Sequence, residues 1–133
     1  MVRGSSIGFL GRFGRSGDLR QLDDALRAVD VHPRLITEAV KLTTAKFLKE
    51  AHGTDDPPAQ AYQRAAELIG YCLLGANAFA TANGDVATTA AEARIDAALR
   101  AGDNLDAQLV LLMLHAKAIQ PSVVERFGLE AGE

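Results

Sequence analysis

Side chains that could perform nucleophilic chemistry are few in this 133-residue chain. The single cysteine, Cys72, lies in the most apolar stretch, where a thiol behaves as a small and inert hydrophobe. One cysteine also excludes an intramolecular disulfide and a multi-cysteine zinc site within one chain. No serine belongs to a nucleophile motif such as GxSxG. The sequence therefore identifies no catalytic residue, and it leans against an enzyme without excluding one.

Histidines and carboxylates offer a weak case for a metal site. His52 lies near Asp55 and Asp56 in a predicted loop, whereas His32 and His115 stand alone. No HxxxH or ExxH pair is present, and helical bundles usually hold metal with such pairs. Cationic His52 at the end of a helix is explained by the helix dipole. We predict no metal and no cofactor.

The first 17 residues, MVRGSSIGFLGRFGRSG, form a glycine-rich arm. They contain five of the twelve glycines and no acidic residue, and arginines alternate with apolar side chains. Glycine at this density weakens regular structure, but the apolar residues must be buried on this chain or on a neighbour. The predicted interaction residues are Phe9, Leu10, Arg12, Phe13 and Arg15.

Two other uses of the arm have less support. Backbone amides and arginines could bind phosphate, but GxxxxGK[ST] is absent and no βαβ unit surrounds the arm. Arginine and phenylalanine could bind nucleic acid, which requires a wider basic footprint. Residues 1–34 carry six Arg and four Asp, a net charge of +2, while residues 35–133 carry eight basic and thirteen acidic residues, a net charge of −5. This acidic remainder disfavours nucleic acid.

The rest of the chain predicts a small helical bundle. Alanine, the best helix former, occurs 24 times, and only 5% of the residues are aromatic. Leu19, Leu22, Leu26 and Val29 follow a helical spacing, so we predict a first helix over 19–29 with Asp18 as its N-cap. A second helix is predicted from Pro33 to about residue 51, ended by Gly53.

The central helix is predicted over 59–82, after a connector that contains two prolines. It has almost no charge after Glu67, so we expect its second half to be enclosed by the other helices. The run is interrupted by polar residues and falls short of the roughly 20 predominantly apolar residues that a span requires, so no membrane helix is expected. Without a signal peptide pattern, the predicted location is the cytoplasm.

Three further helices complete the predicted bundle. The fourth begins near Asp85 or Thr88-Thr89 and ends at Gly102, and the fifth covers 105–119. The fifth contains the run LVLLMLHA, which predicts burial on most sides. A short last helix is predicted over 121–127. The fold class is therefore all-α, a single bundle of five to six helices (18–133) preceded by the arm (1–17).

The turn FATANGDVATTAAEARI between the third and fourth helices resembles the helix–loop–helix turns of TerB-like tellurite-resistance domains. Asn83, Gly84, Asp85, Val86 and Glu92 occupy roughly the corresponding places, over about a sixth of the chain. The resemblance implies a metal-binding helical module. Any capped helical hairpin shares this pattern, so the turn does not assign the chain to that family.

The leading functional hypothesis is a non-enzymatic module that associates with itself, as a homodimer, or with another protein. The alternative is a small-molecule or lipid-like ligand held between helices, since Gly70 and Gly75 could leave a groove beside Tyr71 or Phe79. Close helix contact at these glycines is the competing explanation, and we favour it. The sequence does not identify the partner or the ligand.

Overall fold

The structure, a computed structural model, describes the backbone of residues 7–129 and the side chains of residues 17–129. Every secondary-structure element in residues 7–129 is an α-helix or a 3-10 turn, and this part of the chain contains no strand. The predicted all-helical bundle is confirmed. Its elements are α1 (Ile7–Ala28), a 3-10 turn (Pro33–Leu35), α2 (Glu38–His52), α3 (Ala59–Asn83), α4 (Asp85–Ala101), α5 (Leu105–His115) and α6 (Pro121–Phe127).

The first helix is longer than its leucine spacing predicted. It begins at Ile7 instead of near Leu19, and it crosses the predicted boundary between arm and bundle without a break. Asp18 is therefore not an N-cap. Its carboxylate lies 2.7 Å from Lys49 Nζ and accepts a hydrogen bond of 3.1 Å from the Tyr62 hydroxyl. Extending a packed helix requires no new nucleation, which helps to offset the cost of its glycines.

The second helix begins five residues later than predicted. The predicted first residue, Pro33, opens the 3-10 turn, and α2 starts after Thr37. The hydroxyl of Thr37 accepts a hydrogen bond from Val40 N at 3.2 Å, which makes it the N-cap. The turn buries Ile36 and leaves Leu35 55% exposed.

The central helix begins at the predicted residue and ends one residue later than predicted, and the enclosure predicted after Glu67 extends only as far as Gly75. Nine of its eleven buried residues lie between Ala61 and Cys72. At Gly75 the backbone leaves the helical region, with φ 85° and ψ 168°, and the chain changes direction. Residues 76–83 are mostly small and partly exposed, and only Phe79 returns to the core. Residues 76–83 are uncharged because they are mainly alanines and amides, and Phe79 is the one buried side chain among them.

Polar contacts show how the first three helices run. Asp18 pairs with Lys49, and Asp23 pairs with Lys41 at 2.8 Å, so α1 and α2 are antiparallel. Asp18 also contacts Tyr62 near the start of α3, and Val29 packs beside Gly70 further along it. The body of α1 and the first part of α3 therefore run in the same direction.

Arg94 joins three helices at the start of α5. Its guanidinium makes two hydrogen bonds to the Asp106 carboxylate, at 2.8 and 3.0 Å, and donates to the Arg64 carbonyl at 2.8 Å. Bidentate pairs of this kind fix direction as well as distance. They hold the N-terminal end of α5 against α3 and α4, and the rest of α5 extends towards α6.

Among residues 7–129, α3 alone has the length and composition of a membrane-spanning helix, with a mean hydropathy of 1.2 in its most apolar window. Half of that window is buried inside the protein, and Gly75 interrupts the helix. A core helix passes the same test of length and composition.

Candidate protein-interaction surface

The fifth helix carries more apolar side chains than the core encloses. Leu109, Val110, Met113 and Leu114 are buried, as the sequence predicted, but Leu111 is 53% exposed. Successive residues of a helix lie about 100° apart, so a run of six surrounds the whole helix. α5 packs against α2, α3 and α4, and Leu111 lies on the part of the helix that these three leave uncovered.

An open apolar groove lies between the end of α5 and α6. It has a volume of 650 Å³, and we call it the α5–α6 groove. Its lining combines apolar side chains with one lysine and one glutamate at the edge. The lining residues are Leu114, Lys117, Ile119, Pro121, Val124, Glu125, Gly128 and Leu129.

A second cavity of 230 Å³ continues the α5–α6 groove towards α4. The two share Leu114, Gly128 and Leu129, and the second one adds Leu99 and Leu111 to the lining. Leu99 is 46% exposed. Thus two of the four large exposed apolar side chains in residues 17–129 lie on one continuous apolar surface. We call the groove and this cavity together the apolar surface.

Local backbone chemistry ends α5 and opens the groove. Lys117 is left-handed, with φ 58°, and Ala118 N–H donates to the Met113 carbonyl at 2.9 Å. This is the hydrogen bond of a Schellman helix end. The predicted continuation of α5 to residue 119 is therefore wrong, since the helix stops at His115.

The break at Gly75 positions α6. Carbonyl groups that a continuous helix would use are free there, and Gln120 binds two of them. Its backbone N–H donates to the Cys72 carbonyl at 2.8 Å, and its side-chain amide donates to the Leu73 carbonyl at 2.9 Å. The next residue, Pro121, opens α6 as predicted. The groove therefore has one wall attached to the central helix.

A polar cluster secures the other side of α6. The Tyr71 hydroxyl donates to Glu92 Oε2 at 2.8 Å, and Arg126 Nη2 lies 3.4 Å from Glu92 Oε1. Burial, the hydrogen bond to Glu92 and the charge of Glu92 all raise the pKa of Tyr71. The ring of Tyr71 is fully buried against Phe79 and Phe127. This arrangement joins α3, α4 and α6 and leaves no reactive group free.

The interaction residues predicted from the sequence are not tested by this geometry. All five belong to the first turns of α1, whose side chains lie outside the described residues. The structure places their backbone in a helix. They are Phe9, Leu10, Arg12, Phe13 and Arg15.

The candidate chemical groups have structural surroundings. Cys72 is buried, and burial raises the pKa of its thiol to about 12, so no thiolate forms near neutral pH. His115 is exposed, and His32 Nδ1 accepts a hydrogen bond from Arg34 N at 3.1 Å. No three His, Cys, Asp or Glu side chains converge in the described part of the chain.

The two glycines that suggested a ligand groove differ. A Cβ atom on Gly70 would lie 3.1 Å from Val29 Cγ2 and 3.3 Å from Phe79 Cε1, so this glycine permits close packing. Gly75 adjoins a pocket of 400 Å³, which is also lined by Tyr71, Ser122 and other residues. Only the second glycine borders open space.

No protein-family model, curated protein or solved structure matches this chain. The hairpin that resembles TerB-like domains does form, with α3 ending at Asn83 and α4 beginning at Asp85. Its Glu92 accepts a hydrogen bond from Tyr71 and pairs with Arg126.

The sequence did not identify the apolar surface, although one signal was present. Six consecutive apolar residues, 109–114, exceed what one buried face of an eleven-residue helix can hold. That excess predicts an exposed leucine. Which leucine is exposed depends on the positions of α4 and α6, because they form the rest of the surface.

Proposed function

We propose that this chain is a non-enzymatic module that acts by association, first with a second copy of itself. The observation that carries the proposal is the apolar surface formed by α4, α5 and α6. Monomeric proteins rarely expose large continuous apolar patches, and such patches mark contacts with proteins or ligands. Two-fold dimers are the commonest form of self-association. The cytoplasmic location stays a prediction.

Light scattering coupled to size-exclusion chromatography tests the proposal on the full chain. We expect the average mass to rise with concentration and Leu111→Lys to lower it, because the substitution places a charge within the apolar surface. Val86→Lys is the matched control, since Val86 is 87% exposed and lies outside that surface. Thermal melts followed by circular dichroism verify that both variants remain folded.

A monomer mass at every concentration contradicts self-association. Equal effects of Leu111→Lys and Val86→Lys contradict the assignment of the contact to the apolar surface.

The 400 Å³ pocket beside Gly75 favours a second candidate, which is the binding of a small ligand. The pocket volume lies within the range of about 300–1,000 Å³ that is common for ligand sites. Anilinonaphthalene sulfonate, an apolar fluorescent anion, is a suitable probe. We expect Ala78→Trp to abolish its binding, because Ala78 lines the pocket, and Ala82→Trp to leave it unchanged. If neither substitution changes binding of the probe, then the pocket beside Gly75 is not its binding site.

A further inference from the structure

The turn between α3 and α4 contains an asparagine that is followed by a glycine, Asn83 and Gly84. Asparagine is a thermolabile residue, because the backbone nitrogen of the next residue can attack its side-chain amide carbon. Glycine as the next residue has no side chain to hinder this attack. The other two asparagines, Asn77 and Asn104, precede alanine and leucine. The sequence therefore makes Asn83 the most reactive of the three.

The reaction at this pair requires only water. The Gly84 nitrogen forms a bond to Asn83 Cγ, the bond from Cγ to Nδ2 breaks, and the amide group leaves as ammonia with the proton from the Gly84 nitrogen. The product is a succinimide ring. Water then adds to one of the two ring carbonyls and breaks its bond to the ring nitrogen. Aspartate or isoaspartate remains at position 83.

Both reacting groups are held by hydrogen bonds in the folded chain. The attacking group, Gly84 N–H, donates to the Ala80 carbonyl at 2.7 Å, which keeps its proton on the nitrogen. The leaving group, Asn83 Nδ2, donates to the Val29 carbonyl at 3.0 Å. Asn83 is the last residue of α3, so ring closure requires the last turn of this helix to open. The fold therefore opposes the reaction at both atoms.

The Asn83 side chain also satisfies the end of α1. Val29 follows the last residue of α1, and the carbonyls at the end of a helix have no partner within that helix. Asn83 supplies a partner from 54 residues away along the chain. The Val29 side chain packs on Gly70, so one residue joins the end of α1 to α3 through both backbone and side chain. Release of this end of α1 frees the reactive amide.

We infer that Asn83 is a site of spontaneous deamidation, that the docked end of α1 protects it, and that the product weakens this docking. The inference goes beyond the proposed association and does not depend on it. An ionised aspartate has no proton to donate to the Val29 carbonyl. Its charge lies at the C-terminal ends of α1 and α3, where the helix dipole disfavours an anion. The start of α4 favours an anion, but its first turn already contains Asp85.

The inference gives the modification a direction. Water does not convert aspartate back to asparagine, so a chain that deamidates while α1 is released loses the Asn83 contact permanently. Local opening of this kind occurs in folded proteins at a lower cost than global unfolding. The conversion therefore records the opening of the contact between α1 and α3.

Peptide mapping by mass spectrometry measures the conversion in the full chain. Samples are incubated in mildly alkaline buffer, folded or unfolded in urea, and fragment ions of the tryptic peptide 65–94 locate the change. We expect position 83 to convert several-fold faster in the unfolded chain than in the folded chain. In urea it should also convert faster than Asn77 and Asn104, and Gly84→Ala should slow it several-fold. Equal rates in folded and unfolded chains contradict the protection, and an unfolded chain without preference for position 83 contradicts the site.

A second measurement tests the effect of the product. Asn83→Asp should lower the melting temperature by a few degrees and speed amide hydrogen exchange at Val31, whose N–H donates to the end of α1. Asn104→Asp is the matched control and should change neither. Asn104 Oδ1 accepts a hydrogen bond from Ala107 N at 2.8 Å, and aspartate caps a helix equally well. If Asn83→Asp melts and exchanges like the wild type, then the product does not weaken the docking and the inference is wrong.

Discussion

α3 and α5 are both strongly apolar helices, but their surroundings differ. α3 packs against α1, α2, α4, α5 and α6, and its large rings Tyr71 and Phe79 are fully buried. α5 packs against α2, α3 and α4, and its Leu111 lies on the face that these helices leave open, where it is 53% exposed. Apolar composition therefore predicts burial only on those faces of a helix that its neighbours cover. An apolar side chain that stays exposed, such as Leu111 in α5, indicates a surface for association.

The largest expected difference between these helices concerns a buried ring and an exposed leucine. The ring of Phe79 covers Gly70 and lies edge-on to Tyr71, with centroids 5.9 Å apart. We expect Phe79→Ala to lower the free energy of unfolding by about 3–5 kcal/mol, because it leaves a cavity. Leu111→Ala should change it by less than about 0.5 kcal/mol. Urea denaturation measures both, and similar losses would contradict the comparison.

The break in α3 gives the next largest effect. Gly75 has φ 85°, and a Cβ atom there would lie 3.4 Å from Ser122 Oγ. We expect Gly75→Ala to destabilise the chain by about 1–3 kcal/mol through backbone strain. Gly17→Ala is the matched control, since no atom lies within 4 Å and the residue is inside α1. This control should stabilise by roughly 0.5–1 kcal/mol. Effects of the same sign would exclude strain as the cause.

A polar group inside the α3 core gives a pH-dependent prediction. Tyr71→Phe removes the hydrogen bond to Glu92 and should cost about 1.5 kcal/mol at neutral pH. The pKa of Tyr71 is raised in the folded chain, so its contribution is complete below the unfolded pKa of about 10 and is lost as the pH rises further. The difference in the free energy of unfolding between wild type and Tyr71→Phe should therefore become smaller above pH ~10.

Denaturation at neutral pH and above the tyrosine pKa measures this gap. Leu111→Ala, which has no titrating group, is the control and should show a gap that does not change with pH. A Tyr71→Phe gap that widens in alkali would contradict the assignment.

Local signals in the sequence were sufficient for much of the fold. Gly53 and Gly102 marked helix ends that the structure shows, Asp85 was one of the two predicted starts of α4, and Pro121 marked the start of α6. These ends depend on φ preferences of single residues, so a sequence displays them directly. The predicted start of α1 was wrong, because a helix can extend through glycines once its later turns are packed.

Burial and the site depended on neighbours that the sequence does not display. The second half of α3 has few charges, yet it is partly exposed because the break at Gly75 redirects it. The apolar surface combines Leu99, Leu111 and Leu129 from three distant segments. The spacing of these three leucines in the sequence follows no helical period, so the sequence does not predict that they are neighbours. The arm residues stay a prediction, because their side chains lie outside the described part.

The smallest expected effect concerns the end of α5, where the groove begins. Lys117 is exposed and left-handed, with φ 58°, a conformation that glycine adopts without the penalty of a Cβ atom. Lys117→Gly should therefore stabilise the chain by about 0.5 kcal/mol. Gln108→Gly, an exposed position inside α5, should instead destabilise by about 1 kcal/mol.

Thermal and urea denaturation of the two variants measure these opposite changes. If Lys117→Gly destabilises the chain, then the Schellman turn is not what ends α5. Light scattering adds a second readout, because the substitution keeps the backbone hydrogen bonds and removes a cation from the groove edge. Association through the apolar surface should strengthen when that cation is lost, because Lys117 lines the groove. An unchanged mass, with the backbone effect present, would show that the groove edge does not respond to charge and that the apolar side chains alone hold the contact.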